Sequence, residues 1–272
     1  MWIPLGFSVI GASHEKKGMP NQDSVGYSAE SPPFVAVADG HGGKKYIRSD
    51  TGACFATKAI GIIVAENRPL LAGDKDIFEA VHHIKIRFLS KWQELVDREL
   101  QDNPFAPREL TFLDENCTEA EKKSVIDNPR LAFGCTFLCA IGYEDMVLLL
   151  QHGDGDALGL YESDDVRELI PQDQRNFGGQ TLSLGSLGNA GEISHCILSD
   201  LPSLITLTTD GVKNSYNDTV KEEIEQFYKI PAVIKNNLEN NIEDMIKSAL
   251  ERITANGSGD DVTLGILYRS SP

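Results

Sequence analysis

Apolar residues along this chain follow two rhythms. Short, strand-like runs bounded by turn residues lie at Phe7–Ala12, Ser24–Tyr27, Phe34–Ala38, Cys135–Gly142, Met146–Gln151, Ala157–Glu162, Leu204–Thr208 and Val262–Tyr268. Helical spacing predicts long helices over Gly43–Glu66 and Asp76–Leu100 and shorter ones near Asp218–Tyr228 and Ile242–Ala255. In the second long helix, Ile77, Val81, Ile84, Phe88, Trp92 and Leu95 recur at three- and four-residue steps and form one apolar stripe. The turns "GYED" (142–145) and "ESDD" (162–165) are short enough to close hairpins.

Strands joined by hairpins imply antiparallel sheets with helices packed outside, not a doubly wound parallel sheet. The polar segment Asp102–Arg130 reads as the loosest part, a connection inside one α+β domain spanning residues 1–272. Neither a linker nor a repeat interrupts it.

Many of the predicted strands meet a carboxylate at one end. Asp23 precedes the strand at Ser24, Asp39 ends "FVAVAD", Asp210 ends "LITLTTD", Asp260 precedes "VTLGIL", and Asp154 and Asp156 follow "VLLLQH". Any single Asp-Gly is first of all a turn signal. Here, however, each aspartate abuts an apolar strand with no Lys or Arg within two residues. If the strands lie side by side, these carboxylates converge. Two of them ~4 Å apart repel by about 4 kcal/mol at an effective dielectric near 20, so a cluster calls for cations. An all-oxygen donor set suits Mg²⁺ or Mn²⁺ better than zinc. In "FVAVADGHGG", Asp39 can bridge two ions, Gly40 lets its own carbonyl approach a metal, and His41 can carry a proton near neutral pH.

Charge and cysteine content narrow the partners. A net charge of −16 and a pI near 4.7 repel nucleic acid and anionic membranes. Five cysteines with no C-x-x-C pair indicate neither a disulfide framework nor a zinc knuckle. The first residues have no basic stretch ahead of their apolar run, and no apolar run approaches the ~20 residues a bilayer span needs. The expectation is a reducing, cytoplasmic setting.

Six motifs, "PNQDS", "VADGHGG", "FGCTF", "HGDGD", "LTTDGV" and "SGDDVT", occur in the order and at the spacings of the PP2C (PPM) family of metal-dependent protein serine/threonine phosphatases. The chain resembles the compact bacterial branch of that family from Phe7 to Leu267. The resemblance implies a four-layer α-β-β-α sandwich, two antiparallel sheets flanked by helices, with two metal ions at one end. It makes Asp39 the ligand shared by both ions and the Gly40 carbonyl a ligand of one. Asp210 and Asp260 complete the other ion's shell, and Asp23 ligates directly or through water. Asp154 matches a residue associated with a third ion, and His41 the general acid. The implied reaction is hydrolysis of phosphoserine and phosphothreonine on a protein substrate by metal-activated water, opposing a cognate kinase.

Three positions depart from the pattern. Gln22 stands where many members carry Glu, giving a metal an oxygen without charge. Gly18 stands where an arginine commonly grips phosphate. Lys17 beside it is either a point-charge substitute or an ordinary solvated lysine. Asp156 reads as a turn residue rather than an extra site carboxylate. Gln22 and the missing arginine keep open a pseudophosphatase that serves as an interaction or regulatory module. His152 and His195 read as structural, Trp2 and Trp92 as packing, and Cys135 as a small buried residue.

Overall fold

The computed structural model describes residues 1–66, 77–171, 173–176, 181–216, 219–238 and 242–270. With strands numbered along the chain, one five-stranded sheet runs, edge to edge, β1 (Trp2–Val9), β10 (Val262–Arg269), β9 (Leu204–Thr208), β6 (Asp156–Leu160) and β7 (Val166–Glu168). The other runs β2 (Asp23–Ser28), β3 (Phe34–Asp39), β4 (Phe137–Gly142), β5 (Val147–His152) and β8 (Ser194–Leu198). Every neighbouring pair is antiparallel, and both expected hairpins, β4–β5 and β6–β7, are present.

Alternation along each strand divides the side chains between layers. Val35 and Val37 of β3 face inward and meet Leu207 and Leu267 of the opposite sheet. Ala36 and Ala38 face outward onto α2 (Ser49–Glu66) and α3 (Ile77–Asp102), where Ile60, Phe88 and Trp92 cover them. On the far side, Leu264 and Ile266 of β10 pack under α7 (Lys221–Lys235) and α8 (Ile242–Asn256) through Phe227, Ile246 and Leu250. Burial on both faces is why β3 reads as an unbroken apolar run. The result is helix layer, sheet, sheet, helix layer, an α+β sandwich.

The structure adds elements at places the apolar rhythm leaves blank. Asp102–Arg130 is not loose: α4 (Pro107–Asn116) and α5 (Glu119–Asp127) fill most of it. Their signals are local. Pro107 opens α4, and Thr118 and Glu121 form a reciprocal cap on α5. A one-and-a-half-turn helix α1 (Ala12–Lys17) replaces the end of the first predicted strand, which instead starts earlier, at Trp2. The Trp2 indole donates to the Tyr143 carbonyl (2.8 Å), and the buried Trp92 indole donates to that of Gly52 (3.0 Å), so both tryptophans pack as expected. Helix α2 begins at Ser49 rather than Gly43, and α7 continues past Pro231 to Lys235. Asp76 and Asp218, two predicted helix starts, lie outside the described residues. No helix among the described residues is long and apolar enough to cross a membrane.

Candidate metal centre and active site

The strand-end carboxylates gather at one end of the sandwich because the strands that carry them are neighbours. Asp23 opens β2 and Asp39 closes β3, and the two are register partners across that antiparallel pair. Asp210 follows β9 as the first residue of the short helix α6 (Asp210–Lys213). It comes from the other sheet, yet its carboxyl group lies close enough to that of Asp39 for the two to shift each other's titration. Asp154 lies where the chain crosses between sheets from β5 to β6, and Asp260 lies just before β10.

Geometry fixes the backbone around Asp39 from both sides. Its N–H donates to Thr136 Oγ1 (3.0 Å), and its carbonyl accepts from the Thr136 N–H (2.8 Å). Gly40 donates to the Gln22 carbonyl (3.0 Å), and His41 donates to that of Gly134 (3.1 Å). A Cβ on Gly40 would stand 2.7 Å from both the Gln22 and the Ser49 carbonyl oxygens, so only glycine fits this approach. The turn in "FVAVADGHGG" therefore lacks side chains for a packing reason as well as a chemical one.

Electrostatics set these acids apart from ordinary surface aspartates. Burial pushes Asp23 up to about 8, with the charges of Asp261 and Asp210 adding to it against hydrogen bonds from Thr209 and Thr263. Burial also holds Asp39 well above the usual carboxylate range, helped by the charges of Asp23, Asp210 and Asp260. Asp210 is raised by burial and by Asp154 and Asp260. Carboxyl groups crowded in this way favour a neutralising cation.

These residues fit a hard divalent cation. The donors are all oxygen, Asp23 Oδ1 and Gln22 Oε1 are buried without a hydrogen-bond partner, and the Gly40 backbone lies in a cradle that a Cβ would fill. Asp23, Asp39 and Asp210 form the heart of the site. Asp260 is at its rim, 53% exposed, near enough to act on Asp39 and Asp210 through its charge. Asp154 accepts a hydrogen bond from Thr181 (2.7 Å). Gln22 directs its Nε2 to Ser49 Oγ (2.7 Å), which leaves its oxygen as the free atom.

His41 follows the Asp39-Gly40 turn with Nε2 buried and unpartnered among the described residues, its ring 4.8 Å from that of Tyr46. Burial, followed by the charges of Lys45 and His152, lowers its pKa to about 4. The imidazole is neutral at pH 7, so proton donation from it depends on added negative charge, such as a phosphate dianion. Lys17, at the exposed end of α1, makes no hydrogen bond or ion pair among the described residues. Gly18 takes a left-handed φ of 65° to cap α1, a conformation that would strain an arginine there. From α1, His14 reaches two aspartates, 3.0 Å from Asp261 and 3.8 Å from Asp260.

Three functional neighbours escape the sequence pattern. Asp261 is buried and accepts from the backbone N–H groups of Gly11 and Gln22 (2.6 Å each), tying α1, β2 and β10 together beneath the site. Thr209 donates to Asp23 Oδ2 (2.7 Å) and accepts from the Thr263 N–H (3.1 Å). Thr136 clamps Asp39. Each sits inside one of the six motifs, and for Asp261 and Thr209 position beside a strand-end aspartate was the available signal. Asp156 differs from its turn reading: it is buried as the first residue of β6 and forms an ion pair with Lys213 (2.7 Å). Cys135 is buried beneath the centre, bridged to Gly40, with its thiol pKa pushed up by burial and then by Asp39.

A family model described as "Protein phosphatase 2C" matches residues 10–251. The chain belongs to the protein phosphatase 2C family, a class of protein serine/threonine phosphatases. Among solved structures, a bacterial serine phosphatase aligns at 15% identity with a TM-score of 0.61, over 100% of this chain and 99% of that one. The phosphatase Stp1 from Staphylococcus aureus aligns at 16% identity and 0.61, over 100% and 96%. The catalytic domain of the serine/threonine phosphatase PstP, in complex with two manganese ions, aligns at 14% and 0.58, over 98% and 97%. No curated protein matches significantly.

Proposed function

We propose that this protein hydrolyses phosphoserine and phosphothreonine esters on protein substrates, opposing a serine/threonine kinase, with two divalent ions, Mg²⁺ or Mn²⁺. The observation that carries this reading is the grouping of buried Asp23 with half-buried Asp39 and Asp210, whose mutual repulsion matches a cation, as do the orphaned oxygens of Asp23 and Gln22. Asp39 would serve both ions, Asp210 and Asp260 would complete the shell of one, and the Gly40 carbonyl would serve the other, with Asp23 directly or through water and with help from Gln22. Asp154 would serve a third, weaker position. Ions bound there would acidify water and neutralise phosphoryl oxygens.

The chain's own groups do the remaining work. Thr136 fixes the Asp39 backbone, and Thr209 holds the Asp23 carboxylate toward the centre. His41 delivers a proton to the leaving serine or threonine oxygen once substrate charge raises its pKa from about 4. Lys17, at the exposed end of α1, is a cationic group available to a phosphate.

The test is phosphate release from a phosphothreonine peptide and from p-nitrophenyl phosphate, each with Mn²⁺, Mg²⁺ or EDTA. Metal-dependent release from the peptide is the expected result. Turnover of the small ester alone would limit the activity to small phosphate esters. Folded protein inert with every metal would contradict catalysis and leave a non-catalytic binding module.

A further inference from the structure

Beside the centre runs a groove of about 550 Å³ between the turn after β3 and helix α4. Gln22 and Gly42 form its near wall, so it opens directly from the candidate site. Its far wall is Arg108 and Phe112 of α4, with Phe112 42% exposed. Lys44 and Met19 complete the lining that matters here.

The charge of this groove runs against that of the molecule. Glu109 lies on it, but Arg48 engages that carboxylate through two hydrogen bonds (2.7 and 2.9 Å). The Ala106 N–H adds a third (2.7 Å). Arg48 also donates to the carbonyls of Asn103 (2.7 Å) and Pro104 (3.2 Å), so the start of α4 is fastened to the turn before α2. Asp50 remains as one negative charge, against Lys44 and Arg108, which form no ion pair among the described residues. In a chain of net charge −16, this is a net positive, partly apolar channel leading from the candidate centre.

We propose that this groove binds the polypeptide flanking the phosphorylated residue and selects substrates with an acidic side chain there, next to an apolar one. The inference rests on the phosphatase reading above and names the substrate class of that site. Arg108 and Lys44 would pair with the acidic residue, and Phe112 and Met19 would cover the apolar one. Rigid attachment of α4 through Arg48 gives a preformed surface, which lowers the ordering cost of binding.

Two phosphothreonine peptides, alike except for Glu or Lys at the flanking positions, separate the outcomes. With Mn²⁺, the unaltered protein is expected to favour the Glu peptide in kcat/KM by at least about fivefold. Arg108→Glu should remove or invert that preference, and Phe112→Ala should weaken turnover of both peptides. Both variants should leave p-nitrophenyl phosphate within about twofold, because that ester is too small to reach α4. Equal turnover of the two peptides, or equal losses by Arg108→Glu on both peptides and the small ester, would overturn the proposal. If no substrate is turned over, the phosphatase reading fails, and fluorescence anisotropy of the labelled Glu peptide still decides the groove. Binding weakened by Arg108→Glu would sustain it, and binding unchanged by that substitution, or absent, would end it.

Discussion

Asp39 and Asp210 approach closely enough for each to shift the titration of the other, although they are supplied by opposite sheets of the sandwich. Burial and the charges of three neighbouring aspartates all push the Asp39 carboxyl group toward its neutral form. This pair locates the point where the fold invests stability in function, since without a cation the cluster costs the native state free energy.

Replacing Asp39 or Asp210 with Asn should therefore separate activity from stability. The amide keeps the shape and removes the charge. Metal-dependent phosphate release should fall by at least about 100-fold. The melting temperature of the metal-free protein at pH 8 should be unchanged or higher. Paired activity and melting measurements check this, and full activity in either variant would contradict it.

The raised carboxylates also predict how pH acts on the metal-free protein. Acids whose folded-state pKa lies above the unfolded value stabilise at low pH, and that contribution is lost as pH rises through the folded value. For Asp23 the window runs from its ordinary 3.8 to about 8, with Asp39 and Asp210 shifted in the same direction. In EDTA, the unaltered protein should lose melting temperature between pH 5 and 8 more steeply than Asp23→Asn does. Added Mn²⁺ should restore most of the loss at pH 8. Parallel melting curves for the two proteins would count against the cluster as the cause.

His41→Ala should slow phosphothreonine hydrolysis by about 10²–10⁴, the usual span for a positioned proton donor. The loss on p-nitrophenyl phosphate should be much smaller, since its leaving group needs little protonation. Equal losses on both would assign His41 a structural role.

Thr209→Val tests a positioning residue. It deletes the hydrogen bond to Asp23 and leaves the buried Thr263 N–H without an acceptor, a loss of about 1–3 kcal/mol in unfolding free energy. Mn²⁺ should bind more weakly as Asp23 gains freedom. Thr209→Ser, which keeps the hydroxyl, should restore both.

The layers of this molecule were legible because β3, β5 and β10 carry apolar residues on both faces and α3 carries its stripe. Asp23, Asp39 and Asp210 were legible because bare carboxylates at strand ends are electrostatically costly. What the pattern hid was local or long-range. Helices α4 and α5 are polar on most sides, and their caps, Pro107 and the Thr118–Glu121 box, were weaker signals than the surrounding polarity. Asp261 and Thr209 act through partners more than fifty residues away, such as Gly11 and Thr263. No spacing in a sequence announces such pairs. Asp156 looked like a turn residue because Lys213, which neutralises it, arrives only in three dimensions.

The most direct measurement is calorimetric titration of Mn²⁺ into the metal-free protein and into Asp39→Asn at pH 7.5. Binding of at least two ions by the unaltered protein, with proton release and with loss of the tightest site in Asp39→Asn, is the expected result. The same binding in both proteins would mean that the strand-end aspartates are not a metal centre.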